Sequence, residues 1–213
     1  MKFINYINED FERQFELDIK QYYNEVRDIL PILPKNIDIY FKADGIIFGM
    51  STGGYAYSPK IISIAISPNA TNLEDIRNEL KSMLFHEAYH IAHNFTGETG
   101  PVSLIECAVQ EGAATIFEQK YTESKSKDLY GNYGHHQISL LKKWLEQIKK
   151  VKNVKQMSTR NYNSIAFYDE ADKIRWKLYK IGTWLVNQYI SKKNFDIKDF
   201  TNEDVKLLIK SLA

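Results

Sequence analysis

The sequence predicts an α+β fold, with a small N-terminal β-sheet packed beside a central helix and a mainly helical C-terminal half. Short β-branched or alternating runs gather between residues 37 and 66. From residue 72 onward, apolar residues instead recur at spacings of three and four. A chain of 213 residues without an internal repeat, low-complexity tract or linker suits one domain. We divide that single domain into 1–70 (a helix plus the small sheet), 71–121 (a helix pair) and 122–213 (a helical C-terminal subdomain).

Residues 9–30 read as one amphipathic helix, because Phe11, Phe15, Ile19, Tyr22, Val26 and Ile29 share a face. Pro31 and Pro34 end it. Ile37, Ile39 and Phe41 alternate with Asp38 and Tyr40 as a half-buried strand. Gly45 to Met50 reads as a second strand, Gly53-Gly54 as a turn, Tyr55 to Tyr57 as a third strand and Lys60 to Ile66 as a fourth. Asn72 caps the next helix. Ile76, Leu80, Met83, Leu84, Tyr89 and Ile91 give it an apolar surface as far as His93 or Asn94. A turn through Gly97 to Pro101 leads into a helix from Val102 to Lys120.

The loop at 131–136 feeds a helix near 137–150, and 149–160 is a polar, exposed connection. A long helix covers 164–191 with Trp176, Tyr179, Gly182, Leu185, Val186 and Tyr189 on its core face. A mid-helix Gly costs about 1 kcal/mol against Ala, so close packing is expected at Gly182. Thr201 caps a last helix to Leu212.

The central helix carries His86-Glu87-Ala88-Tyr89-His90, an HExxH pattern. Two His at i and i+4 lie one turn apart on one face. That spacing lets both imidazoles reach one Zn²⁺ at about 2.0–2.1 Å. Glu87 projects beside them, placed to take a proton from a metal-activated water. The bland alternative is a surface helix with two incidental His.

Catalytic zinc takes three protein ligands and keeps one position open. Glu111 is the favoured third ligand, because twenty residues after His90 suffice to end one helix, turn and return along another. Gly112, Ala113 and Ala114 lack bulk, so the second helix can pack closely where Glu111 enters. Glu106 lies about 140° round that helix from Glu111 and is disfavoured, and Glu98 is a further candidate. His93 stands about 10.5 Å along the axis from His86, too far to share an ion. It is expected as a polar residue near the helix C-terminus, where positive charge is favourable.

His86-Glu87-x-x-His90 followed by Glu111-Gly112-Ala113-Ala114 resembles the gluzincin group of zinc metallopeptidases. It is similar to small bacterial proteins classed as zinc-dependent peptidases, and more distantly to thermolysin-like and aminopeptidase N-like catalytic domains. The resemblance spans about residues 60–120 and implies one zincin-like domain. His86, His90 and Glu111 would be the zinc ligands and Glu87 the general base. In thermolysin-like enzymes an Asp one turn after the Glu ligand orients a zinc-bound His; here that position is Thr115. Such folds bind substrate by backbone pairing along an edge strand, for which residues 60–66 are the candidate, an ordinary core strand being the alternative. An N-terminal-amine recognition motif of the aminopeptidase kind is not seen.

Peptide hydrolysis also needs a donor for the developing oxyanion. The candidates after the Glu ligand are His135, His136, Tyr133, Tyr162 and Tyr168. A net charge of +1 implies no polyelectrolyte partner, hence no nucleic acid. Cys107 is the only cysteine, which excludes an intramolecular disulfide and a Cys-based zinc site. The first ten residues do not read as a signal peptide, and no stretch is long and apolar enough for a membrane, so a cytoplasmic location is expected.

The reading that follows is a zinc metallopeptidase, an endopeptidase or oligopeptidase with one Zn²⁺ per chain, acting on a peptide or protein. The alternative is a catalytically silent peptide- or protein-binding regulatory module that keeps the zinc site. Thr115 in place of an acidic orienter, and the unassigned oxyanion donor, motivate it.

Overall fold

The computed structural model describes residues 1–99, 103–170 and 173–212. It shows the α+β architecture expected, with a small mixed sheet in the N-terminal half and a helical C-terminal half. No helix among the described residues is long and apolar enough to cross a membrane. The chain divides into two compact units: residues 1–100 with 117–124, and residues 101–116 with 125–213.

In the first unit, β1 (Lys2–Ile4) leads into α1 (Glu9–Arg13) and α2 (Glu16–Ile29). The single helix expected over 9–30 is therefore interrupted at Gln14 and Phe15. Phe15 is fully buried. Strands β2 (Asp38–Phe41), β3 (Thr52–Ser58) and β4 (Ile61–Ile66) follow, then α3 (Leu73–Ala92). The sheet order is β1-β2-β4-β3. The first three in that order run parallel, and β3 is antiparallel to β4.

One sheet face is apolar and covered, with Ile39, Phe41, Ile62, Ile64 and Ala56 all buried. The other is open: Ile4, Tyr40 and Tyr55, aligned through Ser63, are 41, 41 and 48% exposed. Helix α3 is capped as expected, with the Asn72 side chain accepting from the Glu74 and Asp75 amides at 3.1 and 3.3 Å. It packs on β3 and on α2, the latter with an Arg77–Asp18 ion pair at 2.9 Å.

Three strand expectations are corrected. Residues 45–50 form a loop, with Gly45 and Gly49 at φ +88° and +86° and a turn bond from the Met50 amide to Ile47 O at 2.9 Å. Gly53 and Gly54 lie inside β3, where close approach rather than turning explains them. A Cβ on Gly54 would overlap Met83 and come within 2.8 Å of Glu87 Cγ. The strand at 60–66 is an interior strand, β4, paired on both sides; the edge next to α3 is β3.

Helix α4 (Leu104–Tyr121) runs through residues of both units. The expected turn at 97–101 and helix start at Val102 fall partly on residues 100–102, outside the described residues. In the second unit, α5 (Ile138–Ile148) and α6 (Thr159–Ala166) precede a hairpin of β5 (Tyr168–Asp169) and β6 (Ile174–Arg175). Helices α7 (Lys177–Lys193) and α8 (Asn202–Ser211) complete it. The long helix expected over 164–191, part of which falls outside the described residues at 171–172, is thus two helices with a hairpin between them. Trp176 makes the break: it sits at φ +62° and its amide bonds Phe167 O at 3.0 Å. Its ring packs edge-on against Tyr130, Phe167 and Tyr179, which holds the residue in a conformation unfavourable for a large side chain.

Gly182 is closely packed, as its mid-helix position suggested. Its missing Cβ is the space taken by Ala108 O of α4, and a Cβ on Gly112 would collide with the Gly182 backbone. The small residue after Glu111 therefore serves the crossing of α4 with α7. In an open helix Gly→Ala stabilises by about 1 kcal/mol. Here Gly112→Ala and Gly182→Ala should each destabilise by about 1–3 kcal/mol through overpacking. Gly134→Ala, with 3.9 Å to its nearest neighbour, is the near-neutral control. Urea midpoints measure the effect, and wild-type midpoints for both helix variants would contradict the crossing.

Candidate metal centre

Every residue of α3 from Ser82 to Ile91 is buried. His86, Glu87 and His90 retain 6, 7 and 3% of their exposure. This disposes of the surface-helix reading, because polar groups buried in mid-helix need partners. The two imidazoles meet edge-on at 4.7 Å between centroids, and His90 also lies 4.7 Å from the Phe95 ring.

The partners come from the sheet and from the C-terminal turns of α4. Glu87 Oε2 accepts the Ala56 amide of β3 at 2.7 Å. Two turns earlier on α3, Glu79 Oε2 accepts the Ser51 amide at 2.6 Å. Met83 sits between these carboxylates on the helix, against Gly54. The helix thus holds one backbone amide of the edge strand and one of the residue just before it, and the first hold is the carboxylate of the HExxH pattern. His86 Nδ1 lies 2.8 Å from Glu118 Oε2, with Glu118 fully buried. Glu118 Oε1 accepts from Ser124 Oγ at 2.5 Å.

Glu111 is half-buried on α4. Ligand atoms of His86, His90 and Glu111 lie within 4.8 Å of one another. Atoms sharing a tetrahedral zinc at about 2.0–2.2 Å stand about 3–4 Å apart, so small side-chain adjustments would close the set. Two imidazole nitrogens with one carboxylate oxygen suit zinc better than the all-oxygen sets of calcium or magnesium. The residues present therefore fit zinc.

The other candidates are placed as follows. The Glu106 amide bonds Ser103 Oγ at 3.3 Å, and exposed Glu98 bonds Tyr57 O through its own amide at 3.2 Å. His93 is the C-cap of α3, stacked on Tyr89 at 4.1 Å. Burial, with His90 beside it, pushes its pKa down to about 4, so it is neutral near pH 7. The charge expected at this helix end is not supplied by His93.

Thr115 spends its hydroxyl on Glu111 O of its own helix, at 2.8 Å. The carboxylate that engages a His of the pattern is Glu118, which sequence reasoning passed over. Its one signal was its position, seven residues after Glu111 and so on the same helix face.

The oxyanion candidates all belong to the second unit. Tyr133 Oη accepts from Asn187 Nδ2 at 3.2 Å. His136 Nε2 accepts from Lys180 Nζ at 3.2 Å and packs on Trp144. Burial lowers the His136 pKa, and the neighbouring Lys180 charge lowers it further. His135 is exposed. Tyr162 packs on Phe167, and Tyr168 lies under the Arg175 guanidinium at 4.7 Å.

Residues 7–210 match the family model described as "Predicted Zn-dependent protease (DUF2268)". No curated protein and no solved structure matches the chain.

Because the Thr115 hydroxyl is bonded within its own helix, Thr115→Val should leave zinc affinity unchanged within about twofold, well short of the roughly 10–100-fold loss that follows removal of a true orienting group. Competition against a chromogenic chelator measures it. A tenfold loss in a folded variant would restore Thr115 as an orienting group.

Proposed function

The chain belongs to the family of predicted Zn-dependent proteases (DUF2268), and from that premise we propose that it cleaves peptide bonds with one zinc ion held by His86, His90 and Glu111. The arrangement proposed is the gluzincin one, with both His from α3 and the carboxylate from α4. One observation carries it: the buried His86, Glu87 and His90 stand on adjacent turns of α3, with Glu87 anchored to the backbone of the sheet edge. Buried ionisable side chains are costly unless paired, and clusters of them gather at functional sites.

Held by these residues, zinc would supply Lewis acidity toward a substrate carbonyl and would lower the pKa of a water to about 7. Glu87 is the general base. Its Oε2 accepts the Ala56 amide at 2.7 Å, which positions the carboxylate for taking the water proton. As the C–N bond breaks, the same carboxyl returns that proton to the leaving nitrogen. The base needs no reorientation between the two transfers, because the strand amide holds it throughout.

Substrate is a peptide or protein lying extended along β3, the edge that replaces the expected 60–66 strand. In antiparallel pairing, the peptide groups of alternate residues point away from the partner strand. On β3 these are Thr52, Gly54 and Ala56. Thr52 O already accepts the Ile47 amide, and Ala56 O the Gly97 amide, at 3.0 and 2.8 Å. Gly54 is the position between them, and we assign the backbone pairing of substrate there. Cleavage within peptide chains fits this mode, and neither nucleic acid nor membrane has a part in it.

The silent-module reading loses one of its two motives, since a carboxylate does engage His86, from Glu118; the other, the unassigned oxyanion donor, stands. Purified protein should hold one zinc per chain by metal analysis. Glu111→Ala should lower zinc affinity sharply, whereas Glu106→Ala should keep it near wild type. Glu87→Gln should keep zinc and lose about 10²–10⁴-fold in kcat against a peptide library. A wild-type protein that binds zinc yet cleaves nothing the Glu87→Gln variant leaves intact would return the silent module to first place.

A further inference from the structure

We propose that Glu118 is the positioning residue that makes His86 a zinc ligand through Nε2. The inference rests on His86 being a ligand, as proposed above. An imidazole offers a metal only one of its two nitrogens, and the partner on the other nitrogen decides which.

His86 Nδ1 meets Glu118 Oε2 at 2.8 Å in a place closed to solvent. A carboxylate oxygen this close to Nδ1 pairs with the tautomer that carries its proton there, which makes Nε2 the ligating nitrogen of the proposal. It also fixes the ring about its χ2 axis and raises the basicity of the ligating nitrogen.

Glu118 is itself held. Ser124 Oγ donates to Oε1 at 2.5 Å, so both carboxylate oxygens are engaged. Thr122, one turn after Glu118, donates from Oγ1 to Glu118 O at 2.7 Å and lies 2.9 Å from Ser82 Oγ. Ser82 is one turn before His86 on α3. The pairs 82 with 122 and 86 with 118 are thus successive rungs between antiparallel helices, each stepping four residues in opposite directions. This register fixes the distance from carboxylate to ring. It also explains the choice of residue: the rung falls at 118, three residues beyond Thr115, and Thr115 is turned to its own helix.

The test uses the full chain as wild type, Glu118→Gln, Glu118→Ala and Ser124→Ala. Zinc affinity is read by chelator competition, folding by circular dichroism, and the His86 ring by proton–nitrogen spectra of ¹⁵N-histidine protein loaded with zinc. Both Glu118 variants should bind zinc about 10–100-fold more weakly, with a smaller loss for Ser124→Ala. The zinc-loaded wild type should show a downfield Nδ1–H proton on a ring coordinated through Nε2, and Glu118→Gln should move that proton upfield. A purely structural role would leave that resonance and the affinity of a folded variant alone.

Wild-type affinity in folded Glu118→Gln, with an unmoved resonance, overturns the proposal. If Glu118→Ala does not fold, the isosteric Gln variant decides. If neither folds, the wild-type spectrum decides, and coordination of His86 through Nδ1 overturns it. A wild type that takes up no zinc overturns the ligand reading beneath, a distinguishable failure.

Discussion

The first unit is organised by the burial of His86, Glu87 and His90 inside α3. A polar group left unsatisfied in such a place costs about 1–3 kcal/mol, and a charged one more. Partners must therefore be brought to the helix, because the helix cannot bring these side chains to water. The sheet supplies the Ala56 amide and the last turns of α4 supply Glu118. Each partner has a geometric condition. For the strand, Gly54 must lack a side chain so that β3 can lie against Met83 and Glu87. For the helix, the Ser82–Thr122 contact sets the register in which Glu118 faces His86.

Helix α4 carries a second constraint in the other unit. Glu111 and Glu118 are seven residues apart, two helical turns, and so share a face. The residue after Glu111 belongs to a different contact, the backbone crossing of Gly112 with Gly182 on α7. Small residues beside a ligand position are easily read as making room for the metal helix. Here the room at Gly112 is taken by another backbone altogether. Neighbours in sequence on a helix point in different directions, so chemistry and packing can be assigned to adjacent residues without conflict.

Much of this was legible in the sequence, and the limits have physical causes. Asn72 and the apolar spacing of α3 announced a capped helix, and His86 and His90 announced their shared face through i,i+4 spacing alone. Gly53-Gly54 was misread because Gly serves two ends, turning and close approach, and only the position of Met83 tells them apart. The break between α1 and α2 carries no Gly or Pro, and the break before α7 depends on a Trp in the left-handed region held by three aromatic rings. Neither has a local signal. Strand order was also hidden: β1 is three residues long, and β4 became interior only because β2 and β3 both pair with it. At the site, Glu118 resembles any acidic residue near a helix end, and the Ala56 amide is backbone, which no side-chain pattern reveals.

That backbone amide joins the two halves of the proposed chemistry. General-base catalysis depends on the base standing within hydrogen-bond reach of the attacking water, and small displacements are expensive. In the proposed mode, an extended substrate paired at Gly54 would take its position from β3. Glu87 takes its position from the same strand, two residues on, through Ala56. On that proposal the distance from base to scissile carbonyl would be set along one strand rather than across separately packed elements. The Glu79 bond to the Ser51 amide holds the beginning of that strand to α3, as Glu87 holds its far part. Bonds at Ser51, just before β3, and at Ala56 within it tie this strand to the helix that carries His86 and His90. The carboxylate that would carry the proton is thus also part of the clamp that keeps the edge strand in register with the metal-binding helix.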